Sequence, residues 1–178
     1  MGRADSSDSP ENPRSRSFDV VAGSDARVLV LGTLPGERSL ACSEYYAHSQ
    51  NRFWMILGNV LGFDPLAPYE ARLKQLLHHR IALWDVCAAA ERPGSLDASI
   101  RSATVVPNEF SAFFAEHPEI VRVCFNGQHA AKLFQRLVRA SLPANFECEW
   151  VTLPSTSPAN ASVSLEDKRR AWAQALRS

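Results

Sequence analysis

Val28-Leu-Val-Leu-Gly-Thr-Leu-Pro-Gly36 is the stretch on which the fold turns. Val28 to Leu31 is a short unbroken apolar run, the pattern of a strand buried on both faces, and Gly32, Pro35 and Gly36 then break the regular backbone. A loop placed there lies at the carboxyl end of its strand. In open α/β sheets that edge is where ligands bind. The residues that follow, Tyr45-Tyr-Ala-His48 and Asn51-Arg-Phe-Trp54, bring phenol rings, an imidazole and an amide to it. The loop is a candidate active site.

Outward from that strand, Phe53, Trp54, Leu57, Val60 and Leu61 fall at helical spacing before Gly62, which predicts an amphipathic helix over 51–61. Leu73, Leu76 and Leu77 predict another over 69–79, and Ile81-Ala-Leu-Trp-Asp-Val86 a second strand. Ser95 as a cap, with Leu96 and Ile100 four apart, predicts a short helix over 95–103, and a further one over 108–117 stops at Pro118. A third strand, 120–126, ends in Asn-Gly, and a helix over 129–140 carries Leu133, Phe134 and Leu137 on one face. A fourth strand, 148–153, runs into Pro154-Ser-Thr-Ser-Pro158, and a last helix covers 165–176. Strands alternating with helices imply right-handed crossovers and an α/β, three-layer sandwich: a central, largely parallel four-stranded sheet flanked by helices. In such a sheet the loops over 32–46, 126–128 and 154–160 gather on one edge.

The 178 residues suffice for one domain with a real core. Residues 1–24 read as a disordered polar tail and 25–178 as the domain. The first residues lack the apolar centre of a secretory signal, and no run of eighteen apolar residues could span a membrane. Cys42, Cys87, Cys124 and Cys148 lie far apart with no Cys-x-x-Cys pair, which argues against an iron–sulfur cluster, a zinc ribbon or a disulfide framework and for the reducing cytoplasm. Net charge is formally zero, but residues 1–26 hold five of the acids and three of the bases, so the rest carries +2. That is compatible with binding a short stretch of DNA and does not demand it.

Gly32-Thr-Leu-Pro-Gly36 lacks the lysine of a phosphate-binding Gly-x-x-x-x-Gly-Lys loop and the spacing of a dinucleotide fingerprint, so no nucleotide cofactor is expected. Trp54 shares a helical face with apolar neighbours and belongs to the core. Tyr45 and Tyr46 precede that helix, where a ring can stay at the surface of a pocket and stack on a base. Asn51 either caps the helix or orients a water through its amide. His48 is either a structural hydrogen-bonder or a catalyst. Asn126 is either a turn residue or a reader of a base edge. The hydroxyls of 154–160 either grip phosphate without charge or belong to a plain Ser/Pro-rich loop.

Gly32-Thr-Leu-Pro-Gly36, Tyr46-Ala-His48 with Asn51-Arg-Phe-Trp54, Phe125-Asn-Gly127 and Leu153-Pro-Ser-Thr-Ser-Pro-Ala-Asn160 resemble, in that order, the motifs of the uracil-DNA glycosylase superfamily, most closely its hypoxanthine-DNA (deoxyinosine) glycosylase branch. The resemblance runs from about Val28 to Leu176. It implies a monofunctional DNA glycosylase of base excision repair that hydrolyses the N-glycosidic bond of hypoxanthine or uracil and leaves an abasic site. There are two departures. Leu34 stands where most branches carry the asparagine or aspartate that orients the attacking water, and Leu153-Pro-Ser155 stands where the second motif often begins with histidine. The hypoxanthine branch tolerates both and relies on the asparagine of the Asn-Arg-Phe-Trp stretch, here Asn51.

The resemblance thus implies Asn51 as the catalytic residue, with His48 as a further candidate. It puts Gly32, Thr33, Tyr46 and Asn126 around a flipped base. Ser155, Thr156, Ser157, Pro158, Ala159 and Asn160 form the loop that presses into the duplex and grips its phosphates. The expected partner is DNA carrying deaminated bases, with no membrane, no metal and no cofactor, and the enzyme is expected to be a monomer. Hypoxanthine presents O6 as acceptor beside N1–H as donor, and uracil O4 beside N3–H, so one amide satisfies both while adenine and cytosine reverse the pattern. No lysine occupies either motif, so hydrolysis without a Schiff base is expected. Two other readings stand beside this one. One is a non-catalytic α/β module that binds a nucleotide or damaged DNA, with Leu34 marking a lost activity. The other is a thiol hydrolase using Cys42 and His48, which lacks a nucleophile elbow.

Overall fold

The run at Val28 forms a strand whose every residue is buried, with parallel neighbours on both sides. The computed structural model describes residues 14–177. Its elements follow in the order β1 (Arg14–Arg16), β2 (Val28–Gly32), α1 (Glu37–Cys42), α2 (Phe53–Leu61), α3 (Tyr69–His78), β3 (Ile81–Asp85), β4 (Cys87–Glu91), β5 (Val106–Pro107), α4 (Phe110–Glu116), β6 (Arg122–Asn126), α5 (Gln128–Leu137), β7 (Glu149–Leu153) and α6 (Leu165–Leu176).

The main sheet has the order β3-β2-β6-β7 and is parallel throughout, with Leu31 opposite Trp84 on one side and Phe125 on the other. Side chains alternate across it. Leu29, Leu31, Ala82, Val123 and Phe125 pack with Phe110, Phe113 and Phe114 of α4 and Leu133 and Phe134 of α5. Val28, Val30, Ile81, Leu83 and Cys124 pack with Phe53, Ile56 and Leu57 of α2, Leu76 of α3 and Trp172 of α6. Burial on both faces is why these strands show no polar alternation, and it makes the three layers. Truncating Leu29 or Leu31, both fully buried, to alanine would cost about 2–5 kcal/mol.

The structure departs from the sequence reading in three places. First, residues 14–24 are not a disordered tail: β1 pairs antiparallel with β4, and Val21 bridges Leu83. Backbone pairing holds the segment's polar first residues, and Phe18, Val20, Val21 and Ala22 pack against the two cores. The remainder of the expected tail, 1–13, lies outside the described residues. With β5, strands β1 and β4 make a small second sheet. Second, the helix expected over 95–103 is two 3-10 turns, Asp97–Ser99 and Ser102–Thr104. Ser95 Oγ accepts from the Glu37 N–H across the loop instead of capping, and Leu96 stays exposed. Third, the loop after β2 contains α1, which ends at Ser43 in a left-handed conformation with φ 55°. Among the described residues no helix is long and apolar enough to cross a membrane.

Candidate active site

The carboxyl ends of the four parallel strands, Gly32, Asp85, Asn126 and Leu153, form one edge, with Gly32 opposite Asp85 and Asn126 opposite Leu153. The three loops expected to meet there do so. At Gly32 the backbone is approached so closely that a Cβ would lie 2.7 Å from Asp85 Oδ1 and 2.8 Å from the Tyr46 hydroxyl. Only glycine admits both. Tyr46 itself adopts a left-handed φ of 57°, a conformation costing about 1–3 kcal/mol for a non-glycine residue. Its ring stacks on Phe53 with centroids 4.0 Å apart, and its hydroxyl is buried with no hydrogen-bond partner among the described residues. Tyr45, expected at a pocket surface, is instead a core residue, 2% exposed, packed edge-on against Phe18. Its carbonyl accepts from Trp54 Nε1 at 2.8 Å, and Trp54 is buried as expected.

Asp85 was not singled out by sequence reasoning. Its carboxyl is buried and accepts from the Ser17 hydroxyl at 3.2 Å. Burial pushes its pKa up to about 7, the negative charge of Asp97 adds to the rise, and hydrogen bonding from Ser17 and Tyr45 opposes it. The signal was available: Asp85 is the one charged residue between Ile81 and Ala90.

The loop after β2 is clamped from outside. Arg92, whose side chain is buried, donates to the Leu34 and Pro35 carbonyls and to the Gly94 carbonyl, and lies 3.8 Å from Asp97. Asp97 in turn accepts from Thr33 Oγ1 at 2.8 Å. The proton of the Thr33 hydroxyl is therefore committed to Asp97. Leu34 sits in the core. Arg92 and Asp97 escaped the sequence reading because their roles exist only once the segment after β4 folds over this loop.

At the end of β6, Asn126 is buried and its amide grips Thr156 twice. Its Nδ2 donates to Thr156 Oγ1 and its Oδ1 accepts from the Thr156 N–H, both at 2.9 Å. Gly127 follows with φ 103°, and a Cβ there would lie 3.0 Å from Ser155 Cβ. Thr156 is wholly buried, so of the three hydroxyls expected on phosphates this one cannot reach them. Ser155 Oγ accepts from the Ser157 N–H, Ser157 Oγ from the Ala159 N–H, and Asn160 Nδ2 donates to the Ser155 carbonyl, each at 3.2 Å. These bonds stiffen the loop and leave Pro158 and Ala159 exposed at its tip.

Asn51 stands half-buried just ahead of α2. Its Oδ1 accepts from the Phe53 N–H, the first of α2, at 3.0 Å, a bond that stands in for a cap although Arg52 holds the N-cap position, and among the described residues no hydrogen bond engages its Nδ2. The next residue ties this segment to the last loop through Arg52 N–H to the Thr156 carbonyl at 3.0 Å. His48 is exposed, and its Nδ1 accepts from the Gln50 N–H in a local turn. Cys42 and His48 share no hydrogen bond, so nothing joins them as a thiol–imidazole pair. Among the described residues no group of three or more His, Cys, Asp or Glu is placed to hold a metal ion.

Comparison with known proteins adds an independent line. The family model of the uracil DNA glycosylase superfamily matches residues 18–177. A hypoxanthine DNA glycosylase of Methanosarcina acetivorans is 34% identical over 164 residues, covering 91% of this chain and 98% of that protein. One of Methanosarcina barkeri is 33% identical over 165 residues, covering 92% and 99%. The solution NMR structure of a candidate uracil DNA glycosylase from Methanosarcina acetivorans superposes with a TM-score of 0.77 at 33% identity, covering 93% of this chain and 98% of that one. With the motifs in order on one sheet edge and relatives matched along nearly their whole length, the chain belongs to the uracil DNA glycosylase superfamily.

Proposed function

We propose that this chain is a monofunctional DNA glycosylase that releases hypoxanthine or uracil from DNA by hydrolysis and leaves an abasic site. The observation that carries the reading is the state of Asn51. One acceptor position is fixed by the Phe53 N–H, which sets the plane of the amide, while its Nδ2 stays uncommitted at the sheet edge. An amide held in this way orients a water without having to be ordered during the reaction.

In this reading the deaminated nucleotide leaves the stack and its base enters the space bounded by Tyr46, Gly32 and the end of β6. The water oxygen bonds to C1′ as the bond from C1′ to the base nitrogen breaks. The bonding pair leaves with the base, which takes up a proton, and the proton lost by the water passes to solvent. Because Thr156 occupies both arms of one amide edge, Asn126 meets the base through its remaining Nδ2–H. That donor matches O6 of hypoxanthine and O4 of uracil, whereas the amino groups of adenine and cytosine would face it donor to donor. His48 has no part in this scheme. The proposal includes that the enzyme works as a monomer in the cytoplasm, where its four free cysteines would stay reduced.

The test is single-turnover incubation with duplexes carrying inosine or uracil at one position, followed by alkaline cleavage. Strand breaks at that position are expected. Tight binding of the same duplexes without base release would favour the non-catalytic module.

A further inference from the structure

Outside the last loop lies a cavity of about 380 Å³ whose walls come from the segment before α2, the loop 157–161 and α6. Its polar lining includes Gln50, Arg52, Ser157, Asn160 and Lys168. Lys168 is only 5% exposed, an unusual burial for a lysine, and its Nζ donates to the Asn160 carbonyl at 2.7 Å. An ammonium has three donors, so two remain for a ligand. Arg52 stands exposed at the mouth. Among the described residues neither cation forms an ion pair with a carboxylate, although seven other arginines do. Burial depresses the proton affinity of Lys168, and the charge of Arg52 depresses it further. Two like charges gathered over a polar hollow, one of them desolvated, disfavour the empty protein and are relieved when an anion lies between them.

The geometry points to this hollow as a phosphate site that holds the DNA backbone beside the flipped nucleotide, with Arg52 at its mouth, Lys168 at its base and the Ser157 hydroxyl as a neutral donor. The inference rests on the glycosylase reading and deepens it. Arg52 directly follows Asn51, and its N–H is bonded to the Thr156 carbonyl, so a phosphate here is fixed relative to both the catalytic amide and the loop that enters the duplex. Phosphate contacts set register and orientation and carry no sequence information. The site therefore orients the reacting sugar and leaves the choice of base to the strand ends.

The experiment is DNA binding by fluorescence anisotropy over a range of salt concentrations, for the wild type, Arg52→Gln, Lys168→Gln and the double variant. One shared phosphate contributes a slope of about 0.9 in log K against log salt for duplex DNA, and the double variant is expected to lose about that much. The loss of affinity should be the same for unmodified, inosine and uracil duplexes. Melting of Arg52→Gln without DNA should occur at or above the wild-type temperature, because relief of a like-charge contact removes no partner. Inorganic phosphate should stabilise the wild type but not the double variant, and DNA should compete with it. Unchanged salt slopes overturn the inference, as does phosphate binding that saturating DNA leaves intact, which would mark a site for a free anion. If the slopes change but no deaminated base is released, the glycosylase reading falls and the phosphate site stands. Base release with unchanged slopes is the reverse.

Discussion

Two asparagines face the same sheet edge, and their surroundings differ in one respect: how much of the amide the fold already uses. Asn126, at the end of β6, is buried and bonded through both amide atoms to Thr156, so it locks the last loop onto the sheet. Asn51, ahead of α2, is half-buried and tied through one oxygen lone pair to the Phe53 N–H, with its Nδ2 unengaged. Asparagine suits turns and caps, so the residue type alone does not tell scaffold from chemistry. The state of engagement does. A donor left unpaired beside the sheet edge is available for reaction, and one already paired is mainly a strut.

The sharpest way to break that contrast is Asn51→Ala. Base release is expected to fall by about 10²–10³-fold under single-turnover conditions, the scale of losing one positioned polar group in a catalytic site. Stability should fall by only about 1 kcal/mol, the cost of a lost cap, as read from urea unfolding. A rate within a few-fold of wild type, with the cap-sized loss of stability, would return Asn51 to a capping role.

Asn126 should behave the other way round. Asn126→Ala leaves the Thr156 N–H buried and unpaired, which costs about 1–3 kcal/mol, so urea unfolding should shift more than it does for Asn51→Ala. Asn126→Asp can still accept from the Thr156 N–H, and from its hydroxyl after rotation, but it has no N–H and brings negative charge toward O6 or O4. Selectivity among hypoxanthine, uracil, xanthine and thymine should then fall first. An unchanged ranking in competition assays, alongside the lost stability of the alanine variant, would make Asn126 a strut alone.

The same contrast explains what the sequence could disclose. The continuous apolar runs at 28–31, 81–84 and 123–125 exposed the parallel sheet because burial on both faces leaves a one-dimensional trace. The loops followed, since Gly32, Gly127 and the prolines of 154–158 interrupt those runs. Motif order reached Asn51, Asn126 and Tyr46. What stayed hidden depends on distant partners. Nothing near Thr33 says that its hydroxyl turns to Asp97, nothing near Thr156 says that it is wholly buried, and nothing near Arg92 says that it holds the Leu34 and Pro35 carbonyls. The short strands β1, β4 and β5 were missed because backbone pairing of a polar, an alanine-rich and a two-residue segment leaves no periodic trace.

Asp85 sits between the two asparagines in kind: it is buried like Asn126, its carboxyl accepts from Ser17, and it lies beside the buried hydroxyls of Tyr45 and Tyr46. Its substitution should be read in stability and not in base preference, and the effect depends on pH. Its pKa in the folded chain, about 7, lies above the ordinary 3.8, so between these values the native state holds a proton that the unfolded chain has released. Stability from this group is then full below about pH 4, falls as pH rises toward 7, and stays at its lower level above. Asp85→Asn removes the dependence: its amide oxygen still accepts from Ser17, and its N–H groups can meet the tyrosine hydroxyls. Thermal melting should show the variant level with wild type at pH 4 and more stable at pH 8, by up to about 4 kcal/mol or on the order of 10 °C in a chain of this size if the whole rise from 3.8 to about 7 is expressed. A gap that is constant from pH 4 to 8 would mean that Asp85 does not change charge over that range, and that this carboxyl, like Asn126, serves the fold as a strut.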